Sequence, residues 1–129
     1  MFNIIKDKKG SLIPIEFSKI SFKPERVFSV FDVPKGEIRG NHAHYKTIQQ
    51  IICIKGEVIV GLDYGDKIEE TKILPGQSIL VDKLVWDWQK FLTGDDHIIV
   101  LSSTPYDIRD YILDKDEFYR LKNNNIIKK

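Results

Sequence analysis

The sequence predicts an all-β protein, either a sandwich or a barrel, and two observations support this. Short runs rich in β-branched and aromatic residues recur along most of the 129-residue chain, with turn-forming, glycine-containing stretches between them. Regular spacing of this kind is typical of antiparallel sheets. Between Gly10 and Ser103 no segment shows a convincing helical period in its hydrophobic residues.

Nine segments are predicted to be strands. Each is bounded by turn signals, for example Pro34-Lys35-Gly36 and Tyr64-Gly65-Asp66. In chain order the predicted strands are residues 12–17, 26–31, 42–48, 50–54, 58–63, 69–73, 78–81, 85–89 and 97–102.

The C-terminal tail has a different pattern. Residues 106–111 and 116–122 carry aromatic and charged side chains at spacings that fit a short helical cap. The stretch from Lys122 to Lys129 is polar and asparagine-rich, so we expect it to fray.

Composition limits the class of protein. The length indicates a single domain, residues 1–129, that buries roughly two thirds of its unfolded surface. A net charge of +1 argues against binding to nucleic acid or to a membrane surface, since both favour a basic excess. The N-terminus lacks the apolar run of a signal peptide, which predicts a cytoplasmic protein. Cys53 is the only cysteine, so no intrachain disulfide or thiolate zinc site is expected.

Two of the three histidines stand one residue apart, at His42 and His44. Side chains at i and i+2 of a strand point to the same face, so the two imidazoles should converge. Three interpretations are open: a metal site, an acid–base pair, or two structural histidines in a polar barrel mouth.

The spacing around the histidines resembles the cupin pattern G…HxHxxxxE…G, which implies a double-stranded β-helix, or jelly-roll, barrel. His42, His44 and Gly56 fit this pattern, but Gln49 stands where a metal-binding cupin has a carboxylate. No histidine follows at residues 85–88 to complete a ligand set. Two imidazoles and an amide suit a divalent ion poorly, so we expect neither metal nor cofactor. Without a metal, paired imidazoles are suited to proton transfer near neutral pH.

A more specific resemblance covers nearly the whole chain. Residues 39–44, Arg-Gly-Asn-His-Ala-His, resemble the R-G-x-H-A-H signature of the WxcM-like sugar 3,4-ketoisomerases. Residues 7–16 are similar to that family's opening D-x-R-G-S-L…I-E. Residues 102–118 are similar to its ending S…Y-D-x-x-D-Y-I-x-x-x-x-x-F.

The resemblance implies an activity and a partner. Members of the family convert dTDP-4-keto-6-deoxyglucose into a 3-keto sugar, which feeds 3-amino-3,6-dideoxy sugars of surface polysaccharides. The family also implies a homodimer, formed with or without exchange of the N-terminal strand. Protection of unpaired sheet edges favours such a dimer as well.

The chemistry assigns roles to the residues already singled out. The adjacent ketone acidifies the C3 proton, so one of His42 and His44 removes it and an enediol-like intermediate forms. Arg39 is a candidate for binding the oxyanion or a phosphate, because its guanidinium binds two oxygens at once.

Four further residues are candidates for substrate binding. Arg26 and Lys9 match family positions near the sugar nucleotide. Gln49 could hydrogen-bond the sugar or orient an imidazole, and Asp87 could do the latter if it points inward.

Two departures from the family pattern leave alternatives open. Phe28 stands where members usually have a tyrosine, and Trp86-Asp87-Trp88 replaces a common W-H-E. The first alternative is an isomerase acting on another nucleotide-linked 4-keto sugar. The second is a catalytically silent nucleotide-sugar-binding cupin, and the third is a metal-dependent cupin oxygenase.

Overall fold

The computed structural model describes residues 1–127, with side chains through residue 123. In chain order its elements are β1 (Ile5–Asp7), β2 (Gly10–Leu12), β3 (Arg26–Phe31), β4 (Ile38–His44), β5 (Gln49–Lys55), β6 (Val58–Asp63), β7 (Ile68–Ile73), β8 (Ser78–Val81), β9 (Trp86–Phe91), β10 (His97–Ser102), β11 (Tyr111–Ile112) and α1 (Lys115–Ile127). Single 3₁₀ turns lie at Phe17–Lys19 and Ile108–Asp110.

Two antiparallel sheets form the body of the protein. One has the strand order β3-β10-β5-β8 and the other the order β11-β4-β9-β6-β7. From β3 to β6 and again from β7 to β11, successive strands alternate between the sheets, which is the winding of a double-stranded β-helix. The predicted all-β cupin barrel with a short C-terminal helix is therefore confirmed.

The core lies between the two sheets. Strand alternation sends Ile51 and Cys53 of β5 into it, where they pack with Val58 and Val60 of β6. Ile52, between them, faces outward and packs with Phe2 and other residues that precede β3. Inward-facing apolar residues therefore fill most of the barrel interior, and polar side chains described below join them at one end.

The C-terminal helix covers the back of the histidine strand. Ala43 of β4, Trp86 of β9, Ile112 of β11 and Phe118 of α1 form one buried cluster. No helix among residues 1–127 is long and apolar enough to cross a membrane.

One hydrogen bond and one ion pair fasten this helix to β6. The Tyr119 hydroxyl donates to Asp63 Oδ2 at 2.6 Å, and Lys115 Nζ lies 3.3 Å from the same oxygen. These bonds lower the pKa of the Asp63 carboxyl against the opposing effect of its burial.

Two strand predictions are wrong in position. The strand expected at residues 12–17 ends at Leu12, and Pro14, which has no amide hydrogen, follows in an irregular segment. The strand expected at residues 42–48 is Ile38–His44 instead. The sequence did not predict the early start because Gly40 is not typical of a strand. The strand ends early because the Asp110 carboxylate accepts hydrogen bonds from the amides of Lys46 and Thr47.

The two ends of the chain also differ from expectation. Strand β1 pairs with β2 as a separate hairpin that the sequence did not predict. The helix runs from Lys115 to Ile127 and so extends the helical cap expected at residues 116–122 at both ends. The fraying expected from Lys122 onward stays a prediction. Lys128 and Lys129 lie outside the described residues.

The packing behind β4 can be tested with two neighbouring residues. Ile112 is 2% exposed and contacts Ala43 and Phe118, whereas Leu113 is 64% exposed. We expect Ile112→Ala to lower the free energy of unfolding by about 2–5 kcal/mol, since it leaves a cavity. Leu113→Ala, the matched control, should change it by less than about 0.5 kcal/mol. Urea unfolding measures both, and equal effects would contradict the packing described here.

Candidate active site

A break in strand register presents the two histidines to the barrel interior. Gly40 of β4 is paired with Trp88, but His42 is paired with the next residue back, Asp87, so Asn41 is left over as a bulge. Gly40 and Asn41 both have positive φ angles, 93° and 57°, which glycine and asparagine tolerate. Beyond the bulge, Ala43 faces α1 and the flanking histidines face inward.

The two imidazoles lie together, as their spacing predicts. Their ring centroids are 5.0 Å apart in an edge-to-face arrangement. Tyr111, on the neighbouring strand β11, contacts both rings, with centroid distances of 5.2 Å to His42 and 4.4 Å to His44. His42 is 21% exposed while His44 is 2% exposed, so only His42 is readily reached from outside.

Both imidazoles favour the neutral form. Burial lowers the pKa of His42 below 6.5, although a backbone hydrogen bond with Gly40 opposes the shift. Burial and repulsion from His42 lower the pKa of His44 to about 4. A neutral imidazole is able to accept a proton at physiological pH.

His42 also borders a small cavity of about 90 Å³ between the sheets. Arg39, Gln49 and Asp87 line the same cavity, so four of the sequence candidates meet there. A volume of that size is enough to hold several water molecules.

Asp87 is buried inside this cavity and lies close to His42. Its Oδ1 accepts a 2.6 Å hydrogen bond from Gln89 Nε2. Its Oδ2 has no hydrogen-bond partner and is 3.9 Å from His42 Nε2. Burial raises the pKa of the Asp87 carboxyl to about 7, although the bond from Gln89 opposes the rise. The lowered pKa of His42 and the raised pKa of Asp87 both favour a neutral imidazole facing a partly protonated carboxyl group over an ion pair.

Arg26 stands beside the histidine–tyrosine cluster. Its guanidinium lies over the rings of Phe28 and Tyr106, at 5.5 and 5.6 Å from their centroids. Its Nη1 makes a long contact of 3.5 Å with the Tyr111 hydroxyl. Its buried Nε has no partner, so the side chain retains a donor for a ligand oxygen.

The three remaining candidate residues differ in their burial and in their distance from the histidines. Gln49 is 3% exposed and donates from Nε2 to Ser102 Oγ at 3.0 Å. Arg39 is exposed at the rim of the cavity. Lys9 lies in the exposed turn of the β1–β2 hairpin, where its amide bonds Asp7, and it makes no recorded contact with the histidine cluster.

Sequence reasoning gave no role to Tyr111 or Gln89. Tyr111 belongs to the Asp-Tyr-Ile motif quoted above, but only the pairing of β11 with β4 shows that it covers the histidines. Gln89 lies two positions from Asp87 on the same strand, so the two side chains point to the same face. This spacing is the feature of the sequence that could have indicated their contact. Within residues 1–127, no group of three or more His, Cys, Asp or Glu side chains is placed to hold a metal ion.

Comparison with known proteins decides the family. The family model described as "FdtA: WxcM-like, C-terminal" matches residues 1–123. The chain belongs to this WxcM-like family. The match of this WxcM-like chain includes residues 39–44 and 110–112, where the sequence resembles the family motifs.

Named relatives of this WxcM-like chain are sugar isomerases. It is 39% identical over 119 residues to TDP-4-oxo-6-deoxy-α-D-glucose-3,4-oxoisomerase of Aneurinibacillus thermoaerophilus, which covers 91% of this chain and 86% of the relative. The crystal structure of QdtA from Thermoanaerobacterium thermosaccharolyticum, a sugar 3,4-ketoisomerase in complex with TDP, superposes with a TM-score of 0.87 at 32% identity, covering 96% of this chain and 92% of QdtA. WlaRA from Campylobacter jejuni, a TDP-fucose-3,4-ketoisomerase, has a TM-score of 0.83 at 26% identity, covering 97% of this chain and 94% of its own.

The lowered imidazole pKa values can be measured by NMR titration, with assignments from His→Asn variants. We expect the pKa of His44 near 4 and that of His42 below 6.5. In His42→Asn the pKa of His44 should rise, because repulsion from the neighbouring imidazolium is removed. An unchanged or lower His44 pKa in that variant would show that the two rings do not interact.

Proposed function

We propose that this chain is a nucleotide-sugar 3,4-ketoisomerase that converts dTDP-4-keto-6-deoxyglucose into the corresponding 3-keto sugar without a metal or other cofactor. The observation that carries the proposal is the pair of adjacent imidazoles, one of which borders a cavity that Arg39, Gln49 and Asp87 also line. Membership of the WxcM-like family and the activity of the named relatives support the choice of substrate.

His42 is the proposed base. It borders the cavity, whereas His44 is 2% exposed and its pKa of about 4 makes it a weak base. Neutral His42 removes the C3 proton, which the C4 ketone acidifies, and the enediol-like intermediate is protonated at C4. Proton transfer by a positioned imidazole contributes about 10²–10⁴-fold to such a step.

His44 and Tyr111 hold His42 in place in this proposal. Both pack edge-on against the His42 ring, and His44 has a buried Nε2 with no hydrogen-bond partner. An imidazole held on two sides keeps its orientation toward the substrate without reorganising during the reaction.

Three residues remain proposed substrate-binding groups. Arg26 offers its unpartnered Nε, and Arg39 is free at the cavity rim to pair with a phosphate or a sugar oxygen. Gln49 presents its amide to the cavity while Ser102 fixes its orientation. Lys9 could reach a nucleotide only from the exposed hairpin, so its role depends on the dimer considered below.

The alternatives share the same site. A silent sugar-nucleotide-binding cupin is favoured by Phe28, which has no proton to relay. An isomerase of another nucleotide-linked 4-keto sugar would use the same imidazole. We further propose that residues 1–129 form one cupin domain that works in the cytoplasm.

Deuterium incorporation tests the proposed reaction. Protein incubated with dTDP-4-keto-6-deoxyglucose in deuterated water should introduce deuterium into the ring as the 3-keto product forms. His42→Asn should slow both deuterium incorporation and product formation by about 10²–10⁴-fold, since the base is lost. His44→Asn should lose less, and His97→Asn is the matched control because His97 stacks on Phe31, away from the cavity. NMR of the sugar ring and calorimetric titration with TDP provide the measurements.

Other results of this experiment would support one of the alternative functions. Binding of TDP without exchange would indicate the silent module, and exchange only with a different nucleotide-linked 4-keto sugar would change the substrate. Loss of activity on adding a chelator would indicate a metal-dependent enzyme. Equal losses in His42→Asn and His97→Asn would remove His42 as the base.

We propose that the protein is a homodimer joined through its N-terminal hairpin. All six residues of β1 and β2 are exposed, and this hairpin is bonded to neither large sheet. Its cross-strand partners Ile5 and Leu12 are each 57% exposed. An isolated two-stranded hairpin is at best marginally stable in water, so a second copy is the natural cover.

The dimer is tested by charged substitutions. Ile5→Asp with Leu12→Asp should give a monomer, because each carboxylate would have to be buried at the interface. Ile68→Asp is the control, since Ile68 is similarly exposed, at 59%, but lies on β7 of the five-stranded sheet. Light scattering coupled to size exclusion measures the mass, and an unchanged dimer in the double variant would contradict this interface.

A further inference from the structure

Both departures from the family pattern border the cavity beside His42. Phe28 enters from β3 and Asp87 from β9, and His42 lines the same cavity. A phenylalanine has no proton to donate, whereas a carboxyl group has one. Of these two side chains in the cavity, only Asp87 is therefore a possible proton carrier.

The Asp87 carboxyl is arranged with one oxygen fixed and one free. Asp87 is 1% exposed, and Gln89 Nε2 holds its Oδ1 at 2.6 Å. Its Oδ2 is buried without a hydrogen-bond partner, 3.9 Å from His42 Nε2. A buried oxygen left without a partner is costly, and a hydroxyl group of a bound sugar would satisfy it.

We propose that Asp87 is the second acid–base catalytic residue of this chain, exchanging protons with the sugar oxygens while His42 exchanges them with the carbons. This inference rests on the proposed isomerase function. It assigns to Asp87 Oδ2 the part of the reaction that a single imidazole does not perform.

The proton balance of the reaction requires two such groups. In the first step His42 takes the C3 hydrogen, the C3–C4 double bond forms, and the Asp87 acid gives its proton to O4. In the second step the O3 proton passes to the Asp87 carboxylate, the C3 carbonyl forms, and the imidazolium returns a proton to C4. Both residues end in their starting states, with no oxidant or reductant consumed.

The surroundings of Asp87 keep its acid form available. Among the cavity residues, the only titratable or charged neighbours are His42 and Arg39, both from β4. The other elements contribute uncharged side chains, namely Phe28, Val30, Gln49, Ile51, Ile98 and Val100. Burial raises the pKa of Asp87 to about 7, so a substantial fraction carries the proton at neutral pH.

These assignments predict the pH profile of kcat/KM. Activity needs neutral His42, so it should fall as the pH drops below the lowered pKa of that imidazole, which is under 6.5. Activity also needs protonated Asp87, so it should fall as the pH rises above about 7. The wild-type profile should therefore be bell-shaped.

The test is Asp87→Asn, which keeps the shape of the side chain but has no acidic proton. We expect kcat to fall by about 10²–10⁴-fold with unchanged affinity for TDP, and the alkaline limb of the pH profile to disappear. Asp66→Asn, at an exposed turn between β6 and β7, should match the wild type in both measurements. Thermal unfolding of each variant checks that the fold is intact, and the wild-type profile tests the proposal even if Asp87→Asn does not fold.

The outcomes separate this inference from the proposed function. Wild-type protein that fails to isomerise the 4-keto sugar would overturn the proposed function. Wild-type activity that Asp87→Asn retains, or an alkaline limb that survives the substitution or lies far from pH 7, would overturn the role of Asp87 and leave the isomerase function standing. Tyr111→Phe removing the alkaline limb instead would transfer the role to that phenol.

Discussion

The pairing of β4 with β9 across the Asn41 bulge is the constraint on which the site depends. Without the extra residue, the side chains beyond Gly40 would exchange faces, because strand residues alternate. Ala43 would then meet the polar interior, and the two imidazoles would face the apolar cluster under α1. The bulge therefore places His42 opposite the Asp87 carboxyl and keeps Ala43 against Phe118.

The contrast between the two ends of the barrel explains the electrostatics of the site. Aliphatic side chains fill one end, while Arg26, His42, Gln49 and Asp87 share the other with little exposure to water. Low exposure penalises charge on any group there, which lowers imidazole pKa values and raises that of a carboxyl group. Acid and base forms therefore coexist near neutral pH, as a reaction that moves protons in both directions requires.

The fold supports the site from the outside as well. Helix α1 packs behind β4 through Phe118 and is fastened to β6 by the Asp63 contacts with Tyr119 and Lys115. The Asp110 carboxylate binds the chain after His44 and ends β4 there, next to Tyr111. Residues that never touch the cavity thus hold the imidazoles in their positions.

The sequence by itself determined the fold class and the centre of the site. Short apolar and aromatic runs between turn signals located β3, β6, β8 and β10 with their observed bounds, and the His-x-His spacing was enough to bring two imidazoles to one face. Local pattern sufficed because strand periodicity and i, i+2 geometry are properties of neighbouring residues. Only the tertiary structure decided that Tyr111 covers the histidines, that β4 ends at His44 and that Asp87 is buried with a free oxygen. Each of these depends on pairing or burial between segments far apart in the chain, and no local pattern records that.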